Sequence, residues 1–184
     1  MNSDFLSAAA AMAHKPRQSL RDYQRELAER TSTARESATG PSRRLGFLAA
    51  GHGWLISLSD AAEIMPLPPV TVVPGTRSWF MGVINHRGKL TGVVDFERFL
   101  GHEPQHQKTR GRLIVLSDRF SIACSLRVPA VTGLMDLPSL SHAEPAAGKP
   151  RWQGPQVRIR DKEWQLLDIP ALLADHRFAD AALR

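Results

Sequence analysis

Residues 79–95 read WFMGVINHRGKLTGVVD, which is two apolar runs joined by a tight Asn-His-Arg-Gly turn. Apolar runs separated by such a turn predict a β-hairpin that presents an arginine at its tip. Gly88 is expected to supply the positive φ that the turn requires, and strand pairing is expected to fix the position of Arg87. We therefore expect the guanidinium of Arg87 to project where solvent or a partner can meet it.

Further strands are predicted on the N-terminal side of this hairpin. Leu45 to Ala50 and Trp54 to Ser59 flank a short glycine-containing loop, and Glu63 to Met65 forms a third strand that ends at a group of prolines. Together with the hairpin, this makes about five strands before Gly101, which is the size of a small closed barrel.

The second half of the chain repeats this pattern more weakly. Its last hairpin is predicted to turn at Asp161-Lys162-Glu163, and the strand count again approaches five. The predicted strands are Arg112 to Leu116, Phe120 to Ser125, Val128 to Leu134, Val157 to Arg160 and Trp164 to Asp168.

The two halves end in the same way, because an apolar strand closes with Asp95 in one half and with Asp168 in the other. A short apolar helix follows each aspartate, so both side chains are predicted to cap the first free backbone N–H groups of that helix. The repeated ending predicts an all-β fold of two similar sub-barrels, each covered by a closing helix.

The segment 1–43 is predicted to be an extension that precedes a folded domain at 44–178. From Pro16 to Arg30 the apolar residues recur at helical spacing, and Thr31 to Ser42 has the composition of a linker. The helix has only a narrow apolar stripe. It is therefore either an additional docking element or a loosely packed extension.

Composition restricts the class of protein. The 184 residues carry a formal charge of +6, but the basic residues are scattered, which disfavours a nucleic-acid-binding surface. A basic β-barrel that binds nucleic acid is kept as the alternative function. Cys124 is the only cysteine, so no internal disulfide forms, and a reducing cytoplasm is expected. The sequence contains no run of about 18 apolar residues, so no membrane span is predicted. Residues 5–13 resemble a signal peptide only faintly.

The sequence offers no constellation for catalysis. It lacks a nucleophile elbow, a phosphate-binding glycine loop and a dinucleotide fingerprint. His102 and His106 have a ligand-like spacing, but Pro104 between them argues against one helical face. Cys124 lies in an apolar run and is expected to be a buried small apolar side chain. We therefore expect no enzyme activity, no cofactor and no metal; an enzyme would need a polar pocket with perturbed titratable groups.

At this point the chain resembles a known family. Residues 81–90 followed by Val93-Val94-Asp95 are similar to the signature hairpin of the CheW-like domain, the bacterial chemotaxis coupling proteins. The resemblance continues at residues 112–116, 125–131 and 164–168, so that it covers roughly residues 44–173. Within the family, the basic N-terminal extension and the ending WQLLD are most similar to coupling proteins of twitching-motility pathways.

The resemblance implies a non-catalytic adaptor made of two SH3-like five-stranded β-barrels around a shared core. Such a protein connects a transmembrane methyl-accepting chemoreceptor to a CheA-type histidine kinase, and it is cytoplasmic and associated with membrane receptor arrays. The similarity to twitching-motility proteins implies control of a type IV pilus.

The resemblance also implies a receptor-binding site. Val83, Asn85, Arg87 and Gly88 match family positions at or near the receptor contact, and the planar fork of Arg87 suits a carboxylate or backbone carbonyls. His86 departs from the family pattern, which usually has an apolar residue there, and Gly92 replaces a frequent proline. The sequence does not select the residues that contact the kinase.

Overall fold

The computed structural model describes residues 42–103, 111–137 and 148–182. The predicted N-terminal helix and its linker up to residue 41 lie outside the described residues. The described strands are β1 (Ser42–Ala49), β2 (His52–Ser57), β3 (Ala61–Pro66), β4 (Phe80–His86), β5 (Lys89–Asp95), β6 (Arg112–Leu116), β7 (Cys124–Val128), β8 (Ala130–Leu137), β9 (Gln153–Ile159) and β10 (Lys162–Leu167). The helices are α1 (Phe96–Phe99), α2 (Ile169–Ala174) and α3 (His176–Ala179).

The strands form two five-stranded sheets, so the mainly β architecture is confirmed. Sheet A has the order β8-β1-β2-β10-β9, and sheet B has the order β3-β6-β7-β5-β4. In each sheet one neighbouring pair is parallel, β2 with β10 in sheet A and β5 with β7 in sheet B, and the other pairs are antiparallel. Among the described residues, no ladder joins the two edge strands of either sheet.

The expectation that each half of the chain forms its own sheet is wrong. The first hairpin, β1–β2, belongs to sheet A with β8, β9 and β10 from the C-terminal half, while β3 to β7 form sheet B. The central parallel pairs join strands that are distant in the chain, and such pairs leave no local turn signal in the sequence. Hydrophobic alternation therefore found the strands but not their partners.

Three groups of buried apolar side chains fill the fold. One lies inside sheet A around Leu55, Val157 and Trp164, and one lies inside sheet B around Ile84 and Leu113. The third is shared by both sheets and contains these buried residues: Leu45, Phe47, Ala49, Trp54, Ile56, Trp79, Val94, Phe96, Ile114, Leu116, Cys124, Leu126, Val128, Trp152, Leu167, Ile169, Leu172 and Phe178. The shared group fixes the two sheets against each other.

The predicted helix caps are confirmed. Asp95 Oδ1 accepts hydrogen bonds from the backbone N–H groups of Glu97 (3.1 Å) and Arg98 (3.3 Å) at the start of α1. Asp168 Oδ1 accepts one from Ala171 at the start of α2 (2.9 Å). Each aspartate therefore lies at the point where a strand passes into a helix.

Cys124 is buried at the start of β7, as predicted. Burial raises the pKa of its thiol to about 12, so the thiolate that reacts as a nucleophile is not populated near neutral pH. The strand predicted from Phe120 to Ser125 starts later than expected, because residues 118–120 form a short 3₁₀ turn and the strand begins only at Cys124.

The last hairpin also differs from its prediction. β9 ends at Ile159 and β10 begins at Lys162, so the turn residues are Arg160 and Asp161, rather than residues 161–163. Both turn residues have positive φ, 46° and 63°. Neither residue is glycine, the usual occupant of this conformation, which is why the sequence placed the turn later.

The C-terminal helices carry the chain from sheet A back to sheet B. Phe178 of α3 stacks on Trp79, with ring centroids 6.0 Å apart and an interplanar angle of 11°. The backbone N–H of Arg77 donates to the carbonyl of Ala181 at 2.8 Å. The end of the described chain is thereby attached to the segment that leads into β4.

The segment after β3 passes very close to β4. Thr71 and Val83 exchange backbone hydrogen bonds of 2.9 and 2.8 Å, so this segment forms a bridge to β4. Gly82, beside the bridge, has φ of +132°, and a Cβ atom there would overlap the carbonyl oxygen of Thr71. Only glycine fits this conformation and this close approach.

Substitution Gly82→Ala is expected to lower the free energy of unfolding by about 2 kcal/mol or more, because backbone strain and overlap with a carbonyl act together. Urea unfolding followed by circular dichroism measures this change. Gly75 is the matched control, since its φ is +71° and open space surrounds the position of its missing Cβ. Equal losses in Gly75→Ala and Gly82→Ala would contradict the close-approach argument.

Candidate functional site

The tip of the β4–β5 hairpin is a two-residue turn. His86 and Lys89 pair across the strands, and the residues between them, Arg87 and Gly88, have φ of 52° and 81°. Positive φ at both central residues is the pattern of a type I′ turn. The expectation for Gly88 is confirmed, and Arg87 adopts the left-handed conformation as well.

Asn85 shapes this turn from inside the hairpin. Its side-chain Oδ1 accepts a hydrogen bond from the backbone N–H of Gly88 at 2.9 Å. A side-chain amide that binds the backbone a few residues on stabilises a turn in the way of an Asx motif. Asn85 therefore supports the conformation in which Arg87 is presented.

The conformation of Arg87 carries backbone strain. A left-handed conformation costs an L-residue other than Asn, Asp or Gly about 1 kcal/mol or more. Type I′ turns favour Asn-Gly, so asparagine at this position would relieve much of the strain. The arginine is therefore not the residue that turn stability alone favours.

The guanidinium of Arg87 is exposed and forms one internal ion pair. Its side chain is 75% exposed, and its Nη2 donates to Oε2 of Glu63 on β3 at 2.6 Å. His86 Nε2 lies 3.1 Å from the same oxygen. Glu63 thus links the tip of the hairpin to the opposite edge strand of sheet B.

Glu63 is held in its ionised form by this arrangement. The hydrogen bond from His86 is the largest cause that lowers the pKa of the Glu63 carboxyl, and the charge and hydrogen bond of Arg87 lower that pKa further against partial desolvation. Around neutral pH the carboxylate is therefore fully charged, and it limits the directions in which the guanidinium points.

The outer face of the hairpin adds apolar surface. Val83 is half buried and its backbone is bonded to Thr71, while Asn85 lies directly across from Leu90. Leu90 is 70% exposed and Val72, which follows Thr71, is 74% exposed. A partner that reaches Arg87 therefore also meets aliphatic side chains beside it.

A shallow cavity of about 200 Å³ opens beside the arginine tip. Its rim carries the ion pair of Lys89 Nζ with Asp118 Oδ1 at 2.8 Å, and the hydrogen bond and charge of Lys89 lower the pKa of Asp118. Charges of both signs therefore surround this end of sheet B. Within the described residues, no group of three His, Cys, Asp or Glu side chains is arranged to hold a metal ion.

The structure brings the four predicted site residues together in one hairpin. Sequence reasoning missed Glu63, because it lies 24 positions before Arg87 and its strand is distant in the order of the sheet. Its only signal was an acidic residue within a short apolar strand. His86 was noted as a departure from the family pattern, and its contact with Glu63 gives that departure a structural role.

Comparison with known proteins identifies the family of this chain. Residues 43–177 match the profile of the CheW-like domain. The chain belongs to the CheW-like domain family. The CheW-like chain is 29% identical over 156 residues to "Protein PilI" of Pseudomonas aeruginosa, covering 82% of this chain and 85% of that protein. It is also 26% identical over 105 residues to "Chemotaxis protein CheW" of Rhizobium meliloti, covering 57% and 67% respectively.

A solved structure gives the same fold. The scaffolding protein CheW from Thermoanaerobacter tengcongensis superposes on the CheW-like chain with a TM-score of 0.64. The match has 20% sequence identity and covers 70% of this chain and 90% of that one. Over the described residues, no helix is long and apolar enough to cross a membrane.

The pKa of Glu63 is expected to be below its ordinary value of 4.5, and His86→Leu is expected to raise it more than Arg87→Asn does. Carbon-detected NMR of the side-chain carboxyls measures both effects. Because the folded-state pKa is lowered, ionised Glu63 stabilises the fold above its ordinary pKa, and this contribution is lost as pH falls through the lowered value.

Asp118 provides the internal control in the same spectra, because its pKa is lowered mainly by Lys89. It should move little in either variant. If Glu63 titrates unchanged in His86→Leu, the assignment of the hydrogen bond from His86 as the main cause is wrong.

Proposed function

We propose that this chain is a non-catalytic adaptor that couples a transmembrane chemoreceptor to a CheA-type histidine kinase and controls type IV pilus twitching motility. Membership of the CheW-like family supports the adaptor role, and the similarity to PilI supports the pilus output. The chain acts by binding two proteins at once, and no bond is made or broken.

The observation that carries this proposal is the exposed arginine on a strained turn. Arg87 keeps a conformation that costs stability, and its guanidinium is open to solvent apart from the contact with Glu63. Strain of this kind persists where the surrounding structure enforces it and is often part of a binding surface. The receptor offers a carboxylate or backbone carbonyls to the free N–H groups of the guanidinium.

The other proposed receptor-binding residues have different roles. Val83 supplies an aliphatic contact beside the arginine, while Asn85 and Gly88 hold the turn that aims it. Leu90 extends the apolar part of the surface on the paired strand. The receptor surface that fits is therefore an apolar ridge with an acceptor group at one end.

The two sheets are further proposed to act as SH3-like barrels. In sheet B the Thr71–Val83 bridge attaches the segment after β3 to β4, and the contacts of Glu63 link β3 to the hairpin tip at the open side. The adaptor is expected to work in the cytoplasm, at membrane receptor arrays, because its receptor is anchored there.

The coupling mechanism follows from the shared core. Both sheets contribute to one buried apolar group, so partners bound to separate sheets are held in a fixed relative geometry. A change in the receptor then alters which state of the bound kinase is populated, provided that the two states differ in their contacts.

Substitution Arg87→Asn is expected to weaken binding of the receptor's cytoplasmic fragment by about tenfold or more while kinase binding is retained. Asparagine suits the left-handed turn, so the variant should fold at least as well as the parent chain. Isothermal titration with each purified partner measures the two affinities.

Arg43→Asn is the matched control, since Arg43 is also an exposed arginine, paired at 3.5 Å with Asp136 on sheet A. It should leave receptor binding unchanged. Receptor binding that survives in Arg87→Asn, or kinase binding that disappears with it, would refute the proposed role of the hairpin.

Deletion of the encoding gene is expected to abolish twitching and to leave swimming intact, because the proposed output is a pilus. Surface twitching zones and soft-agar swimming zones measure the two outputs. Plasmids that carry the parent chain or Arg43→Asn should restore twitching, and a plasmid that carries Arg87→Glu should not. A swimming defect without a twitching defect would show that the pilus assignment is wrong.

A further inference from the structure

The two sheets have the same topology. Sheet A has the order β8-β1-β2-β10-β9 and sheet B has the order β3-β6-β7-β5-β4. In each sheet a hairpin that ends in a capping aspartate occupies one edge, with its second strand parallel to the next strand inward. The β9–β10 hairpin is therefore the structural counterpart of the β4–β5 hairpin.

The strand register makes the correspondence residue by residue. Asp168 and Asp95 end the two hairpins, and counting back from them along β10 and β5 places Lys162 at the position of Lys89. Lys162 pairs with Ile159 as Lys89 pairs with His86. Arg160 is consequently the counterpart of Arg87.

The same counting locates the counterpart of Glu63. On β3 a bulge at Ala62 lies between the residues paired with Leu116 and Val115, and on β8 a bulge at Thr132 lies between the residues paired with Phe47 and Gly46. Glu63 follows the first bulge and Gly133 follows the second. Sheet A therefore has glycine where sheet B has the carboxylate that binds its arginine.

Arg160 accordingly has no internal carboxylate of this kind. It is exposed, its φ is 46°, and its side chain forms no hydrogen bond or ion pair with another residue in the described ranges. At Gly133 an added Cβ would meet no atom within 4 Å, so the space next to this backbone position is open.

Protection of a sheet edge accounts for only part of this arrangement. Arg158 on the edge strand β9 lies across from Glu163, and such charges keep edges from pairing with other chains. A charge at the turn gives no such protection, and the turn would be less strained with asparagine or glycine at this position. The nearest acidic residue in sequence, Asp161, belongs to the same strained turn.

We propose that Arg160 and the open position above Gly133 form a second carboxylate-binding site, which takes an acidic side chain from an extended segment of a protein partner. The partner's carboxylate occupies the place that Glu63 holds in sheet B, and its backbone lies along the β9 edge. The site is independent of receptor binding at Arg87, because the two tips belong to different sheets.

The test uses the full chain and a fluorescein-labelled peptide of about ten residues in which Glu and Thr alternate, a pattern suited to an extended strand. Fluorescence anisotropy measures the affinity. Arg160→Asn is expected to weaken binding about fivefold or more, while Arg43→Asn, at an exposed arginine already paired with Asp136, changes it less than about twofold. In NMR spectra the side-chain Nε signal of Arg160 should shift on addition of peptide.

A peptide with Gln in place of Glu should not bind, because the site selects a carboxylate. Three results would overturn the proposal: no binding of the Glu-Thr peptide to the parent chain, equal weakening in the two arginine variants, or equal binding of the Gln peptide. None of these results concerns the receptor or the kinase, so they leave the proposed adaptor function to its own tests.

Discussion

Asp95, Glu97 and Arg127 form a buried ion cluster where the two sheets meet. Arg127 Nη1 lies 3.1 Å from Glu97 Oε2 and 3.5 Å from Asp95 Oδ2, and Glu97 Oε1 accepts a hydrogen bond from the backbone N–H of Ala50, in the turn between β1 and β2 of sheet A. Two carboxylates buried without the guanidinium would cost about 3 to 5 kcal/mol. Because Asp95 also ends the arginine hairpin, the cluster ties the position of that hairpin to the opposite sheet.

A rigid connection between the sheets is what an adaptor of this design requires. Trp54 of β2, Phe96 at the start of α1 and Trp152 just before β9 pack with ring centroids 5.2 to 6.4 Å apart, so aromatic side chains attached to both sheets interlock. Interiors packed in this way transmit displacement instead of absorbing it. In the proposed function, partners held by separate sheets would therefore sense each other's orientation through the fold, without a flexible element between them.

The parts of the fold that the sequence predicted are those with a local chemical cause. Turn residues and alternating apolar residues located the hairpin at 79–95, and the two aspartates located both helix starts. The exchange of the first hairpin into sheet A and the approach of Glu63 to Arg87 depend on pairing between distant strands, which leaves no local pattern. The position of the turn at Arg160 was not predicted for the opposite reason, since local turn preferences favour residues other than arginine there.

At both hairpin tips, the backbone strain of the arginine can be compared with the stabilisation that its ion pair gives. A left-handed arginine costs each turn about 1 kcal/mol, and an exposed ion pair returns about 0 to 1 kcal/mol. At Arg87 the pair with Glu63 offsets that strain in part, whereas at Arg160 the described residues contain no such pair. Fold stability alone thus gives no reason for arginine at either tip, least of all at Arg160. The carboxylates proposed for both tips would supply that reason, because only the complex then gains from the guanidinium that strains the free protein.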